Sequence, residues 1–298
     1  MPRKDNIWEN IQYATEGAEA TFFIFKGKEY CLLNFSPAHD KLPEGTREHA
    51  RIYDVETSAE VGGPVFEGYY FISAYSNPRD GKVYCFAPRF EAPRAWLTGH
   101  AMDYICSDDL IHWSAPAPVT ENYNCGCLLN TGVTFDGERY VMLVEVRDVG
   151  KPFSVKFLES RDLKSWQFID GALFRNNITY LGAGAIYYVP EDKYYYITYL
   201  NEFTNEETGD LNYDTHIARS RDLFNWERGK RPVLFPDYTH PITDGNGIME
   251  INASDAEFIE IDGKVKACGA GGNQLGVKDR FTCWYNGPMA ELFAGFFK

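Results

Sequence analysis

The 298-residue chain has little positive charge, since 29 Lys and Arg side chains stand against 43 Asp and Glu and give a formal net charge of −14. Nucleic acids and anionic membranes attract basic surfaces, so this balance argues against both as partners. Long hydrophobic runs are also lacking. No apolar stretch approaches the roughly 18 residues of a membrane span, and the N-terminal sequence MPRKDNIWENIQ has no signal-peptide core. We therefore expect a soluble, cytoplasmic protein.

The cysteines show no pairing pattern. They number seven, and most of them, such as Cys31 and Cys106, lie inside apolar strand-like runs, which favours buried free thiols over a disulfide framework. Cys125 and Cys127 are too closely spaced for a zinc knuckle and have no second pair. No linker rich in Pro, Ser or Gly divides the chain, so we expect a single domain over residues 1–298.

A repeated motif is present instead. The pattern Ser-x-Asp-Leu-x-x-Trp starts at Ser107, Ser160 and Ser220, which are 53 and then 60 residues apart. Ser and Asp side chains bind nearby backbone amides in tight turns, and Leu and Trp suit packing between neighbouring sheets. The spacing matches one four-stranded propeller blade, and the motif predicts the turn from the third to the outermost strand.

A second repeat consists of five hairpins in which an inner strand, a short turn and an aromatic-rich second strand follow one another. Aromatic residues, 16% of the chain, favour strands, and no long amphipathic helix competes with them. The sequence therefore predicts an all-β, five-bladed β-propeller. The expected blades span residues 17–59, 60–125, 126–178, 179–245 and 246–298.

Propeller geometry selects the polar residues that converge. Inner strands begin, and second strands end, on one face of the ring, and third strands begin there too. The predicted inner-strand starts are Glu19, Glu60, Asn130 and Asp255, with only Gly182-Ala-Gly in blade four. The second-strand ends and third-strand starts are Asn34, Tyr75, Glu145, Arg147, Glu202 and Gln274, with His100 and His216.

Five carboxyl groups on one face would repel one another, which raises the pKa of some and sets a proton donor beside an ionised base. Glycoside hydrolysis needs such a pair. We expect Glu19, Glu202 and Asp255 to be catalytic. The expected substrate-binding residues are Glu60, Asn130, Glu145, Arg147, His100, His216 and Gln274. The two histidines could be a general acid, substrate donors or structural strand residues, and the last two roles together are favoured over the first.

The hairpins and the Ser-x-Asp-Leu-x-x-Trp turns resemble the five-bladed glycoside hydrolases of family 43 and their invertase-like relatives. The most specific part is the last blade, with Glu250-Ile-Asn-Ala-Ser-Asp-Ala-Glu and Gly272-Asn-Gln. The family places an Asp base, an Asp modulator and a Glu acid at the inner-strand starts of blades one, three and four. Here those positions are Glu19, Asn130 and residues 182–184, so the standard triad is not in place.

The resemblance implies a carbohydrate substrate and an exo-acting glycosidase on a small oligosaccharide or glycoside. The missing triad leaves open a non-catalytic carbohydrate-binding propeller, and a glycoside phosphorylase is a further alternative. Phosphorolysis needs a basic pocket, for which Arg47, Arg51, Arg147 and Lys151 are available. No cofactor is required by these readings, although the resemblance implies a possible calcium ion in the central channel. The Phe-rich C-terminal tail is expected to close the last blade or to cover a partner, and closure of the blade is favoured.

Overall fold

The computed structural model describes residues 7–14, 19–37, 40, 42–90, 99–120, 123, 126–148, 153–175, 181–182, 184–206, 208–238, 250–272 and 280–298. Within these ranges, twenty strands form five four-stranded antiparallel sheets arranged as a five-bladed β-propeller, as the sequence predicts. Blade one comprises β2 (Ala20–Phe25), β3 (Lys28–Phe35), β4 (His49–Asp54) and β5 (Glu60–Val65). Blade two comprises β6 (Ser73–Asn77), β7 (Lys82–Arg89), β8 (Ala101–Ser107) and β9 (Ala117–Pro118).

The other three blades follow the same order from the channel outwards, except that the last takes its outer strand from the N-terminal region. Blade three comprises β10 (Cys127–Phe135), β11 (Tyr140–Arg147), β12 (Ser154–Ser160) and β13 (Trp166–Arg175). Blade four comprises β14 (Ile186–Val189), β15 (Tyr194–Thr204), β16 (Leu211–Ser220) and β17 (Glu227–Arg228). Blade five comprises β18 (Ser254–Ile261), β19 (Lys264–Ala270), β20 (Arg280–Tyr285) and β1 (Glu9–Ala14).

The boundary between blades one and two differs from the prediction. Residues 60–65 form β5, the outer strand of blade one, and the inner strand of blade two begins at Ser73. Glu60 lies opposite Tyr53 on β4, so pairing with the preceding strand takes this segment away from the channel. The turn at Gly68 is therefore not an inner hairpin, and Tyr75 lies on an inner strand rather than at a second-strand end.

Strand β1 closes the ring. It pairs antiparallel with β20, where Gln12 lies opposite Thr282. Trp8, just before β1, donates from Nε1 to the carbonyl oxygen of Val233 at 2.8 Å, and its ring stacks on Phe258 with centroids 6.0 Å apart. The outer strand of the last blade thus comes from the opposite end of the sequence, which locks blade five to the rest of the chain.

The C-terminal tail does not close the last blade as expected. It forms α1 (Met289–Gly295), and Phe293 is fully buried against the rings of Tyr187, Tyr196 and Phe258 at centroid distances of 5.1–5.4 Å. The tail is too rich in bulky apolar side chains to lie at a solvent-facing blade edge, so it packs as a short helix over blades four and five. Among the described residues, no helix has the length and apolar character to cross a membrane.

The Ser-x-Asp-Leu-x-x-Trp segments form the predicted turns after β8, β12 and β16. In the second copy, Ser160 Oγ accepts the N–H groups of Asp162 and Leu163 at 3.2 and 3.0 Å. Asp162 Oδ1 accepts the next two N–H groups at 2.9 and 2.8 Å. Trp166 Nε1 donates to the Leu163 carbonyl oxygen at 3.0 Å. These bonds hold the buried leucine at a positive φ of 64°, which only a well-supported turn tolerates in a non-glycine residue.

Much of the aromatic content packs between the blades. Phe86 of blade two meets Trp166 of blade three edge-on at 5.9 Å, and Phe157 of blade three stacks on Trp226 of blade four at 5.4 Å. The aromatic excess is therefore largely structural.

The six cysteines within the described part are free, and five of them are buried, which confirms their prediction as buried thiols. Cys125 lies outside the described residues.

We predict that Gly132→Ala destabilises the junction of blades three and four. A Cβ at Gly132 would lie 2.8 Å from the carbonyl oxygen of Gly184, so the inner strands would have to separate. Overpacking of this kind typically costs about 1–3 kcal/mol of unfolding free energy, which urea denaturation measures. Gly63→Ala is the matched control, because a Cβ there would meet nothing within 4 Å. Equal losses at the two positions would contradict the close-packing explanation.

Candidate active site

A cavity lies in the central channel where the inner strands begin. Its volume of about 30 Å³ is enough for one or two water molecules at the base of a site, rather than for a whole sugar ring. All five blades contribute to its wall, and the predicted Glu19, Asn130 and Asp255 are brought together there. The other lining residues are Ala20, Thr21, Asn34, Phe71, Ile72, Ser73, Thr131, Gly184 and Glu257.

The strand pairing is irregular where β10 and β18 reach this wall, and β10 contributes the consecutive residues Asn130 and Thr131. The β10–β11 pairing shifts between Leu128 and Thr131, and the β18–β19 pairing shifts between Ser254 and Glu257. A regular strand would send adjacent side chains to opposite faces, whereas a bulge re-aims them. Asp255 has a positive φ of 51°, a strained conformation for a residue other than glycine. The local strain coincides with the cavity.

Glu19 stands before the first inner strand. Its Oε1 accepts a hydrogen bond from the Tyr70 hydroxyl at 3.5 Å. Burial, followed by the charges of Glu19, Asp40 and Asp255, raises the pKa of Tyr70 well above its usual value. Tyr70 is therefore a neutral donor to Glu19 throughout the physiological pH range.

Asn34, predicted at a second-strand end, has a structural role. Its Nδ2 donates to the carbonyl oxygen of Ile72 at 2.9 Å, and its Oδ1 accepts the N–H of Ile72 at 2.8 Å. The amide thus completes the backbone hydrogen bonds of the next inner strand. Both of its polar ends are used, so Asn34 forms part of the wall between blades one and two.

Glu257 is the functional candidate that the sequence reasoning missed. Its Oε1 accepts a hydrogen bond from Thr21 Oγ1 at 3.0 Å, across the junction of blades five and one. Burial raises the pKa of Glu257 to about 8, Asp255 adds to the rise, and the Thr21 bond opposes it. Glu257 is therefore a protonated acid at neutral pH. Its signal was available, because it follows Asp255 by two residues and alternate residues of a strand share a face.

Glu145 does not reach the cavity. It is fully buried on β11, and its Oε2 accepts a hydrogen bond from Asn130 Nδ2 at 3.0 Å. A carboxyl group with no exposed surface cannot contact a substrate, so the expected binding role is corrected to one of holding Asn130. Asn130 itself keeps its place in the channel wall.

Glu60 also lies away from the channel, on the outer strand β5. Arg51 Nη1 donates to Glu60 Oε2 at 2.7 Å across the β4–β5 pairing. Its expected substrate-binding role is therefore wrong, because the residue was assigned to an inner strand that does not exist at this position. The same ion pair engages Arg51, one of the arginines available for a phosphate pocket.

Glu202 and His216 lie in blade four, outside the lining of the cavity. Glu202 lies opposite Tyr213 near the end of β15. Burial raises the pKa of the Tyr213 hydroxyl, and the nearby Glu202 raises it further. His216 Nε2 lies 3.2 Å from Asp214 Oδ1, which also accepts from Asn201 Nδ2 at 3.0 Å. His216 is thus held as a structural strand residue. A catalytic role for Glu202 stays a prediction.

His100 and Arg147 are exposed at the strand ends near the channel entrance. The His100 ring contacts the carbonyl oxygen of Gly126 through Nδ1, and the Arg147 guanidinium lies 5.3 Å from the ring centroid of Phe153. Both are accessible to a ligand, so their substrate-binding roles stay predictions. Gln274 lies outside the described residues.

The lining residues fit a calcium ion poorly. Nowhere in the described ranges do three His, Cys, Asp or Glu side chains converge on one point that could hold a metal. Metal ligands must give up their protons, and Glu257 keeps its proton at neutral pH. Thr131 Oγ1 is buried and has no hydrogen-bond partner within the described part of the chain, which suits a water molecule in the cavity. We assign no chemical step to a metal ion.

Solved structures share this architecture at low sequence identity. A glycoside hydrolase superposes with a TM-score of 0.64 at 13% identity, over 94% of this chain and 88% of its own. The chain has the fold of the five-bladed glycoside hydrolases. A thermostable family-43 glycoside hydrolase gives 0.54 at 16% identity, over 72% of this chain and 66% of its own, and an α-L-arabinofuranosidase from Lactobacillus brevis gives 0.54 at 12%, over 90% and 89%. No protein-family model and no curated protein matches the sequence. The likeness establishes the fold.

We predict that Glu257→Gln makes stability less dependent on pH. A folded-state pKa of about 8, against an ordinary value of 4.5, means that Glu257 favours folding most below pH 4.5. That contribution is lost as pH rises to about 8, at about 1.4 kcal/mol per pH unit. The neutral amide cannot ionise, so the variant gains stability relative to the native protein across this window. Urea denaturation between pH 5 and 9 measures the difference, and a constant difference would show that Glu257 does not titrate there.

Proposed function

We propose that this protein is a glycoside hydrolase that acts at the mouth of the central channel. The observation that supports it most is the convergence of three carboxyl groups, those of Glu19, Asp255 and Glu257, on one cavity at the axis of the propeller. Glycoside hydrolases share this fold, and the likeness supports this chemistry by analogy.

The reaction needs two carboxyl groups in different protonation states. One protonates the oxygen of the leaving group, while the other activates water or attacks the anomeric carbon. We assign this pair to Glu19 and Asp255, which come from neighbouring blades and line the cavity together. The Tyr70 hydroxyl orients Glu19, and the Ser254 hydroxyl bonds to Asp255 Oδ2 at 2.5 Å. Both carboxyl groups are thereby held in fixed directions.

The substrate that fits is a small oligosaccharide or glycoside cleaved from its end. The cavity in the channel has a volume of about 30 Å³, so a sugar can place a hydroxyl group there but not a whole ring. Arg147 and His100, exposed at the strand ends, are available to bind the hydroxyl groups of the outer sugar. We infer an exo mode of attack from the small size of this cavity.

We predict that Asp255→Asn and Glu19→Gln each lower kcat by at least ~100-fold, the usual size of a general acid or base contribution. Hydrolysis of a panel of aryl glycosides and oligosaccharides, followed by product release, measures it. Glu60→Gln is the matched control, because this carboxyl group lies on an outer strand in an exposed ion pair and its loss leaves kcat within about twofold.

Three results would contradict this proposal. Full activity in both channel variants would show that the site lies elsewhere. Saccharide binding by calorimetry without any product would favour a non-catalytic sugar-binding propeller. Turnover that requires inorganic phosphate would favour a phosphorylase. One of the arginines available for its phosphate pocket, Arg51, already pairs with Glu60.

We predict that turnover is independent of divalent cations. Carboxyl groups carry out acid and base catalysis without a metal, and the carboxyl groups described in the channel lining do not form a cluster that could hold a calcium ion. Dialysis against EDTA should leave kcat within about twofold, and added calcium should leave the melting temperature unchanged. A loss of activity that calcium restores would contradict the prediction.

A further inference from the structure

Among the described residues, one hydrogen bond favours the charged form of Glu257. Thr21 on β2 donates to its Oε1. The titratable groups that interact with Glu257 come from β3, β14, β18 and β19, and they are Cys31, Tyr187, Asp255 and Cys268. Burial raises the pKa of both thiols and of the phenol, so these three groups are neutral at physiological pH.

Two cations of the same junction are engaged elsewhere. Lys266 Nζ lies 2.6 Å from Glu29 Oε1, and Arg280 Nη1 lies 3.4 Å from Cys31 Sγ. Asp255 and Glu257 belong to one strand and one cavity, which Glu19 also lines.

Ionisation of Glu257 would put a second negative charge beside Asp255 in one small cavity. Like charges in the same cavity repel each other. Because Oε1 of Glu257 accepts from Thr21, the proton belongs on Oε2. A neutral Glu257 thus leaves the geometry of Asp255 undisturbed.

We propose that Glu257 is a positioning residue of the channel site: it stays neutral, bonded to Thr21, so that Asp255 does not share the cavity with a second charge on β18. This role rests on the proposed function, since it assigns Asp255 to the reaction. It also gives the site an upper pH limit, because activity is lost when Glu257 and Asp255 are both ionised.

The pH dependence of kcat/KM tests the role. In the native protein, activity should fall as pH rises through about 8. Glu257→Gln is neutral at every pH and can still accept the Thr21 hydrogen bond, so it should retain activity within about threefold at pH 6. At pH 9 it should exceed the native protein by at least tenfold. Glu257→Asp remains ionisable and should keep the alkaline loss, while Glu60→Gln should follow the native profile.

Two kinetic results would overturn the positioning role. An unchanged alkaline limb in Glu257→Gln would show that another group sets it. A loss of more than ~100-fold at pH 6 would show that Glu257 itself transfers the proton. If no variant and no native preparation hydrolyses any glycoside, the proposed function fails, and the positioning role fails with it; turnover without an alkaline limb removes the positioning role alone.

A measurement on the unaltered protein covers the case in which Glu257→Gln does not fold. Carbon-13 NMR of protein labelled at the Glu side-chain carboxyl group follows each titration separately. We expect one Glu resonance with a midpoint near 8, far above the ordinary range. Titration of every Glu resonance below pH 6 would overturn the proposal without reference to catalysis.

Discussion

The pairing of β1 with β20 is the constraint on which the channel depends. Without β1, the last blade would have three strands and an exposed edge, and the packing of Trp8 on Phe258 would be lost. Inner strands from five blades meet at one axis only when the ring is closed. The site is thus a consequence of a contact between the two ends of the sequence, although none of its lining residues belongs to β1.

A closed ring also determines the electrostatics of the channel. The inner strands approach so closely that Gly132 has no room for a side chain, and the space left at the axis is small. A carboxyl group in that space loses much of its hydration, which disfavours its charged form. Glu257 therefore keeps its proton to a higher pH than usual. The aromatic packing between blades offsets the cost of burying such polar groups. Fold stability and the raised pKa of Glu257 have the same origin.

The fold was predictable from the sequence because its signals are local. The Ser-x-Asp-Leu-x-x-Trp turns depend on hydrogen bonds within five residues, and they located three of the five blades. The rule that inner strands begin at the channel found Glu19, Asn130 and Asp255. It failed at Glu60, where a hairpin count could not separate an outer strand from an inner one. Closure by β1 depends on a partner far along the chain, which local patterns do not encode. Glu257 was open to the alternation rule, since it follows Asp255 by two residues on one strand.

The central claim is that the carboxyl groups at the propeller axis act on a glycosidic bond. A crystal structure with a bound sugar mimic tests it most directly, because it shows which groups flank the anomeric centre. We expect the ligand to lie over the channel mouth, with Asp255 and Glu19 on either side of the anomeric position and Glu257 beneath. A saccharide bound elsewhere on the propeller, with the channel filled only by water, would contradict the account.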